Sequence, residues 1–146
     1  MSLDELAFFS LKKVRDLVSR NEISARELVE SHLSRIDEVE PKLNAFITVM
    51  QEDAVRSAIE ADEAAARGGS LGCLHGVPLT LKDLLWTRGV RTTSGSKIFS
   101  DFIPSIDATV VAKLRAAGAI FLGKTNLHEF AYGVSSVNPH YGPVHN

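Results

Sequence analysis

Residues 118–125 read Gly-Ala-Ile-Phe-Leu-Gly-Lys-Thr (GAIFLGKT), which satisfies the pattern G-x-x-x-x-G-K-[ST] of a phosphate-binding P-loop. In a true P-loop a strand precedes the first glycine and a flexible loop separates the two glycines. Here the four residues between the glycines are apolar strand formers, so they cannot offer a flexible nest of backbone N–H groups. The stretch therefore predicts a helix that ends at Gly118, a strand over 119–122 and a strand end at Gly123, not a nucleotide site.

An earlier stretch, GVPLTLKD at 76–83, alternates apolar and polar residues like a strand. A helix is predicted over 107–117, between a strand at 77–82 and the strand at 119–122. Such an order predicts a βαβ unit with parallel strands and a right-handed crossover. Both strands then end at the same edge of the sheet, where α/β proteins favour ligand sites. Lys82 lies at that edge, so it is the first candidate for chemistry.

The rest of the chain predicts helices in the first third and loops in the last. In chain order we expect a helix from residue 11 capped by Ser10, a second helix that opens with the capping box Ser24–Glu27 and ends at Pro41, a strand over 45–49, a helix over 53–67 closed by Gly68-Gly69-Ser70, a short helix from Thr125 through Phe130, and a loop over 133–146.

Composition narrows the class of protein. The 146 residues are 45% hydrophobic with a net charge of −2, which predicts a globular domain without a nucleic-acid surface. The acidic start, MSLDELAFF, does not have the basic region of a signal peptide, and no stretch has the length of a membrane span. Cys73 is the single cysteine, so no internal disulfide can form. We expect a cytoplasmic protein with no membrane partner.

Lys82 has two interpretations. As a strand-edge lysine it pairs with Asp83 at the surface. As a catalytic group it is held among apolar neighbours, because an amine among apolar groups can act as a base near neutral pH. These neighbours are Leu81, Leu84, Leu85 and Trp86. A lysine base needs a nucleophile, and serine–lysine pairs are a known arrangement.

The candidate nucleophiles and ligands are weaker. Loop serines usually bond to the backbone, which is the role we expect for the candidates Ser94, Ser96, Ser135 and Ser136. No glycine-rich turn frames the adjacent pair Ser135-Ser136. A Cys73–His75 pair has no orienting third group. His140 and His145 could share a metal, but no metal-binding spacing is present, so we expect no metal site.

Five segments follow one another along the chain: EISARELVESHLSRIDEVEPKLNAFITV (22–49), GVPLTLKD (76–83), RTTSGS (91–96), DATVVAKLRAAGAIFLGKTNLHEFAYG (107–133) and NPHYGPVHN (138–146). In this order they closely resemble the amidase signature family. The resemblance runs from about Ser10 to Asn146. It implies an α/β fold, the N-terminal part of the amidase signature fold, with a mixed sheet covered by helices on both faces. It also implies a single amidase domain over 1–146, with a helical lead-in at 1–43 and an α/β part at 44–146.

The resemblance implies an amide-bond hydrolase with a Ser–cis-Ser–Lys triad, in which Lys82 matches the family's lysine. Residues matching Ala131, Tyr132 and Gly133 lie near the substrate in relatives. The mechanism needs no cofactor. The expected partners are a small-molecule amide and either a second copy of the chain or the other subunits of an amidotransferase, without direct contact to nucleic acid.

One departure from the family matters. The glycine- and serine-rich loop that carries both triad serines does not occur within residues 1–146. We therefore interpret the chain as an N-terminal fragment that is inactive alone. Two alternatives stay open: the A subunit of the tRNA-dependent glutamine amidotransferase, which releases ammonia from glutamine, and a non-catalytic α/β module or remnant.

Overall fold

A computed structural model describes residues 3–68 and 71–146. The helices are α1 (Leu3–Leu6), α2 (Leu11–Ser19), α3 (Ala25–Leu43), α4 (Gln51–Ala66) and α5 (Thr109–Ala116), and the strands are β1 (Phe46–Val49), β2 (Pro78–Lys82), β3 (Ile120–Thr125), β4 (Val137–Asn138) and β5 (Gly142–Pro143). Short 3-10 helices cover Lys97–Phe99 and Glu129–Ala131. None of the described helices is long and apolar enough to cross a membrane.

Three strands form a mixed sheet in the order β1-β3-β2. β1 pairs with β3 in antiparallel fashion, with Phe46 opposite Thr125 and Val49 opposite Gly123. β2 and β3 run parallel, because Val77 O accepts from Ile120 N at 2.9 Å at the start of the pair and Asp83 N donates to Thr125 O at 3.1 Å at its end. β3 is the central strand, and its residues 120–124 are all buried. This confirms the mixed α/β class.

The chain divides into two compact units. The first contains residues up to 38, 50–79 and 114–122. Its core packs the apolar faces of α3 and α4 on one face of β3, through Val29, Ala58, Ile120 and Leu122. Phe121 points to the other face of β3, where the guanidinium of Arg115 in α5 lies 5.1 Å from its ring centroid. Helices thus lie on both faces of β3, as the fold class predicts.

The second unit contains residues 39–49, 80–113 and 123–146. It holds β1, the ends of β2 and β3, the irregular segment 87–104 and the β4–β5 hairpin. Arg91 joins the irregular segment to β1, since its guanidinium donates to Ile47 O and Thr48 Oγ1, both at 3.0 Å. The division into a lead-in at 1–43 and an α/β part at 44–146 stays a prediction.

The predicted helix caps at Ser10 and Ser24 are confirmed. The helices predicted from 53 and 107 begin within two residues of those positions, at Gln51 and Thr109. Lys13 N donates to Ser10 Oγ at 3.3 Å, and in the capping box Glu27 N donates to Ser24 Oγ at 3.0 Å. Gly118 ends α5 with φ +88°. Gly68, with φ +72°, follows α4, whereas Gly69 and Ser70 lie outside the described residues.

Four boundary predictions were wrong. α3 continues through Pro41 to Leu43, because a proline in the last turn forfeits a single helical bond and Asn44 N still donates to Glu40 O at 2.9 Å. β3 does not end at Gly123 but extends to Thr125, because β1 continues to pair with it. Thr125 is therefore a strand residue and not a helix cap. The tail is not all loop, since β4 and β5 form a short hairpin.

Candidate functional site

Lys82 is the last residue of β2, and its side chain is exposed. Among the described residues, its amine takes part in no hydrogen bond and no ion pair. Its chain neighbours Leu81 and Asp83 are buried, with 2% and 0% of their surface exposed. Consecutive residues of an extended chain point to opposite faces, so Lys82 faces outward where its neighbours face inward. The apolar neighbours in sequence therefore do not enclose the amine in this chain.

Asp83 does not pair with Lys82, so the predicted surface ion pair is wrong. The Asp83 carboxylate points inward, where Oδ2 accepts from Thr93 N at 2.9 Å and from Thr93 Oγ1 at 2.5 Å. Its backbone is held as well, because Asp83 N donates to Thr125 O and Asp83 O accepts from Ser94 N at 2.9 Å. Oδ1 has no hydrogen-bond partner within the described part of the chain.

Lys124 of β3 is the cation that faces Asp83. Its side chain is fully buried, and Nζ lies 3.6 Å from Asp83 Oδ1, an ion pair just beyond hydrogen-bond distance. Nζ donates to Leu85 O at 2.8 Å, Thr87 Oγ1 at 3.2 Å and Thr92 Oγ1 at 2.7 Å. The two threonine hydroxyls use their own hydrogens elsewhere, on Leu85 O and Val90 O, so they act as acceptors for the lysine.

Three acceptors around one amine match the three protons of an ammonium group, so the geometry fits the charged form of Lys124. Burial lowers the pKa of Lys124 below its ordinary value, and the charge of Asp83 opposes that shift. The group is inaccessible to a ligand. The lysine of the P-loop-like pattern therefore holds protein oxygens in place of phosphate oxygens, which agrees with the prediction against a nucleotide site.

The segment Ala131-Tyr132-Gly133 leaves the short 3-10 helix in a constrained conformation. Phe130 and Ala131 have φ of +51° and +56°, a region that residues with a side chain rarely adopt. Tyr132 is 89% exposed. A Cβ on Gly133 would lie 2.5 Å from the His128 ring, so a larger residue at 133 would displace that ring. No hydrogen bond among the described residues joins this segment to Lys82.

Glu129 anchors the start of the same segment. Its Oε1 accepts from Ser96 Oγ at 2.6 Å and lies 3.0 Å from His140 Nε2. The hydrogen bond from Ser96 is the main reason that the pKa of Glu129 lies below its usual value, and His140 adds to the effect. Ser96 and His140 are thus partners of a carboxylate and not of Lys82.

The remaining candidates do not form a catalytic group. Ser135 and Ser136 are exposed, Ser94 bonds through its backbone to Asp83 and Phe130, and Cys73 is exposed. Within residues 3–68 and 71–146, no group of three or more histidine, cysteine and acidic side chains is placed to hold a metal ion.

The family is decided by a match over most of the chain. The family model described as Amidase matches residues 27–146, which include β2, Lys82, Asp83 and Lys124. The chain belongs to the amidase family. Amidase-family structures also share its fold: a crystal structure of an amidase is 36% identical with a TM-score of 0.86, covering 94% of this chain and 31% of that one. The peptide amidase of Stenotrophomonas maltophilia is 32% identical with a TM-score of 0.85, covering 94% and 29%.

Among curated relatives, the A subunit of the glutamyl-tRNA(Gln) amidotransferase of Carboxydothermus hydrogenoformans is 47% identical over 142 residues. The alignment covers 97% of this chain and 29% of that relative. The chain therefore spans less than a third of the length of the curated relatives that it matches.

Proposed function

We propose that this chain supplies the lysine base of an amide-bond hydrolase that works through a Ser–cis-Ser–Lys triad, and that Lys82 is that base. The observation that supports the assignment is the contrast between two lysines near the ends of neighbouring strands. Lys124 is buried and all its protons are engaged, whereas the Lys82 amine is exposed and unpartnered among the described residues. A base needs a free lone pair within reach of a reacting group, and only Lys82 of the two can offer it.

In the proposed mechanism the neutral Lys82 amine takes the hydroxyl proton of the cis-serine, which takes the proton of the nucleophilic serine. The serine oxygen then attacks the amide carbon, the C–N bond breaks, and the protonated lysine returns a proton through the cis-serine to the leaving nitrogen. Water hydrolyses the acyl-enzyme by the same proton route. Residues 1–146 do not include the serine-bearing loop of the family, so these residues alone have no turnover.

Ala131, Tyr132 and Gly133 are proposed to contact the substrate. The positive φ of Ala131 and the exposure of Tyr132 support this role, since strained backbone often marks binding segments and an exposed aromatic ring can pack on a ligand.

The second candidate function is that of the A subunit of a tRNA-dependent amidotransferase, which releases ammonia from glutamine. The 47% identity to a protein of that name favours it, and the other chains of the amidotransferase then become the partners. Both candidates share the lysine chemistry and differ in the amide that is cleaved. A non-catalytic module is the remaining alternative.

Ammonia release by the complete gene product that carries these residues tests the proposal, with L-glutamine and benzamide as the two amides. Lys82→Met keeps the length of the side chain and removes the base, so kcat falls by about 10²–10⁴-fold. The matched control is Lys113→Met, an exposed lysine of α5, which leaves kcat unchanged. Preference for glutamine supports the amidotransferase, and preference for benzamide supports a general amidase. Full activity of Lys82→Met contradicts the assignment of the base.

A further inference from the structure

We infer that the buried pair Asp83–Lys124 is a positioning device for Lys82, fixing the backbone on which the lysine base stands. The inference rests on the proposed function, because it concerns the same lysine. Neither Asp83 nor Lys124 touches a substrate in this proposal. They act through the chain, one residue away from Lys82 and on the neighbouring strand.

Within the described part of the chain, only the backbone of Lys82 is held by hydrogen bonds. Its side chain makes no hydrogen bond or ion pair with the described residues, so the position of its amine depends on its own backbone and rotamer. The backbone on its N-terminal side belongs to β2, which is paired with β3. On its C-terminal side the chain leaves the sheet, and the first residue beyond β2 is Asp83.

Both the backbone and the carboxylate of Asp83 are held by hydrogen bonds. Its backbone is tied to β3 through Thr125 and to the irregular segment through Ser94. Its carboxylate receives two hydrogen bonds from Thr93, whose Oγ1 also accepts from Gly95 N at 3.0 Å. A single side chain thus joins the end of β2 to the turn at 93–95, where Ser94 has φ +54°.

The buried charges of Asp83 and Lys124 hold Asp83 itself and the segment that follows it. A carboxylate with no exposed surface needs a positive partner, and Lys124 Nζ, at 3.6 Å from Oδ1, is that partner. Lys124 in turn holds Leu85 O and the hydroxyls of Thr87 and Thr92, so it ties down the segment that follows Asp83. Surface salt bridges contribute little to such order, but both side chains of this pair are fully buried, and their hydrogen bonds hold them in place.

A shift of the lysine base is costly for catalysis. A displacement of about 1 Å of a reacting group can cost about a hundredfold in rate. Loosening residue 83 moves Lys82 without altering the substrate contacts proposed for 131–133, so the loss falls on kcat and leaves KM nearly unchanged.

The experiment is a double-mutant cycle in the complete gene product, with ammonia release from whichever of L-glutamine and benzamide it cleaves. Asp83→Asn and Lys124→Met are each expected to lower kcat about ten- to a hundredfold, with KM within about threefold of wild type. The double variant removes both charges and keeps an oxygen that accepts from Thr93. Its kcat is therefore expected to be at least about tenfold higher than the kcat of either single variant. Thr93→Val removes one bond to Asp83 without an unpaired charge, and it keeps the test valid if a single charge variant does not fold.

The matched control is Val111→Ala, a buried residue of the same unit whose apolar side chain cannot share in the hydrogen bonds or charges of this network, so its truncation lowers the melting temperature through packing alone. If the pair positions Lys82, Val111→Ala keeps the kcat of wild type, whereas Thr93→Val has a lower kcat. The fall in melting temperature of Thr93→Val is then equal to or smaller than that of Val111→Ala. A kcat that follows melting temperature alike in all variants overturns the inference, and so does full kcat in Asp83→Asn. Lys82→Met distinguishes a failure of the proposed function from a failure of the positioning inference. If that variant stays active, Lys82 is not the base, whatever the double-mutant cycle shows.

Discussion

Replacing Lys124 by methionine tests the role of the buried pair in stability. Methionine keeps a similar length and apolar stem, but it leaves the Asp83 carboxylate fully buried without a positive partner. Removing one partner of a buried ion pair costs about 3–5 kcal/mol, because the remaining charge is not compensated. That loss is a large fraction of the roughly 5–15 kcal/mol that stabilises a domain.

The assay is equilibrium urea unfolding of the 146-residue chain, followed by tryptophan fluorescence. Trp86 is the single tryptophan and packs on Phe102 with ring centroids 5.3 Å apart, so it reports on the unit that contains the pair. Lys124→Met is expected to move the unfolding midpoint far down, or to leave the chain unfolded without urea. Asp83→Asn combined with Lys124→Met recovers most of the loss, because neither charge is then left alone.

The control is Lys113→Met, which removes an exposed lysine of α5 and changes the free energy of unfolding by no more than about 0.5 kcal/mol. A loss for Lys124→Met below about 1 kcal/mol would refute the reasoning. Equal losses for the double variant and for Lys124→Met would also refute it, because they would mean that the two charges do not depend on each other.

Three further predictions follow from single contacts. Gly123→Ala destabilises the chain by about 1–3 kcal/mol in the same urea assay, since its Cβ would meet Thr48 O at 2.6 Å across the β1–β3 pair; an unchanged midpoint would contradict this register. Burial lowers the pKa of Lys124, so between that lowered value and the ordinary 10.5 the unfolded chain binds more protons than the folded chain. The free energy of unfolding of wild type, compared with that of Lys124→Met, therefore rises with pH across this window. A difference that does not change with pH argues against a desolvated amine. Ser96→Ala removes the main cause of the lowered pKa of Glu129, so carboxyl NMR should show that pKa move toward the ordinary 4.5. The stability that wild type loses as pH falls below 4.5 should also become smaller in this variant. An unchanged pKa of Glu129 would show that the hydrogen bond from Ser96 does not lower it.

Periodicity and capping predicted the elements well where one local rule decides them. The capping box at Ser24–Glu27 and the glycine at 118 satisfy backbone groups within a few residues, so sequence alone places those helix ends. Boundaries that depend on partners distant in sequence were missed. β3 extends to Thr125 because β1, which precedes it by more than 70 residues, continues to pair with it, and no local pattern carries that information.

In the candidate site too, local sequence signals located one residue, whereas partners distant in sequence were missed. Lys82 was found from its place at a strand end and from the family's LKD segment, and alternation along the strand explains its exposure. Lys124 was considered as a phosphate ligand and rejected, but its burial was not foreseen. Lysine is rarely fully buried, and its partners Thr87 and Thr92 lie more than 30 residues away. The useful clue was the position of Asp83 and Lys124 near the ends of strands that turn out to be neighbours.

The central claim is that Lys82 drives the formation of an acyl-enzyme. Intact-protein mass spectrometry of the complete gene product, quenched within the first turnover of the amide that it cleaves, measures that intermediate directly. We expect an added acyl mass in wild type and in Lys113→Met, and none in Lys82→Met. An acyl adduct that forms equally fast in Lys82→Met would contradict the claim.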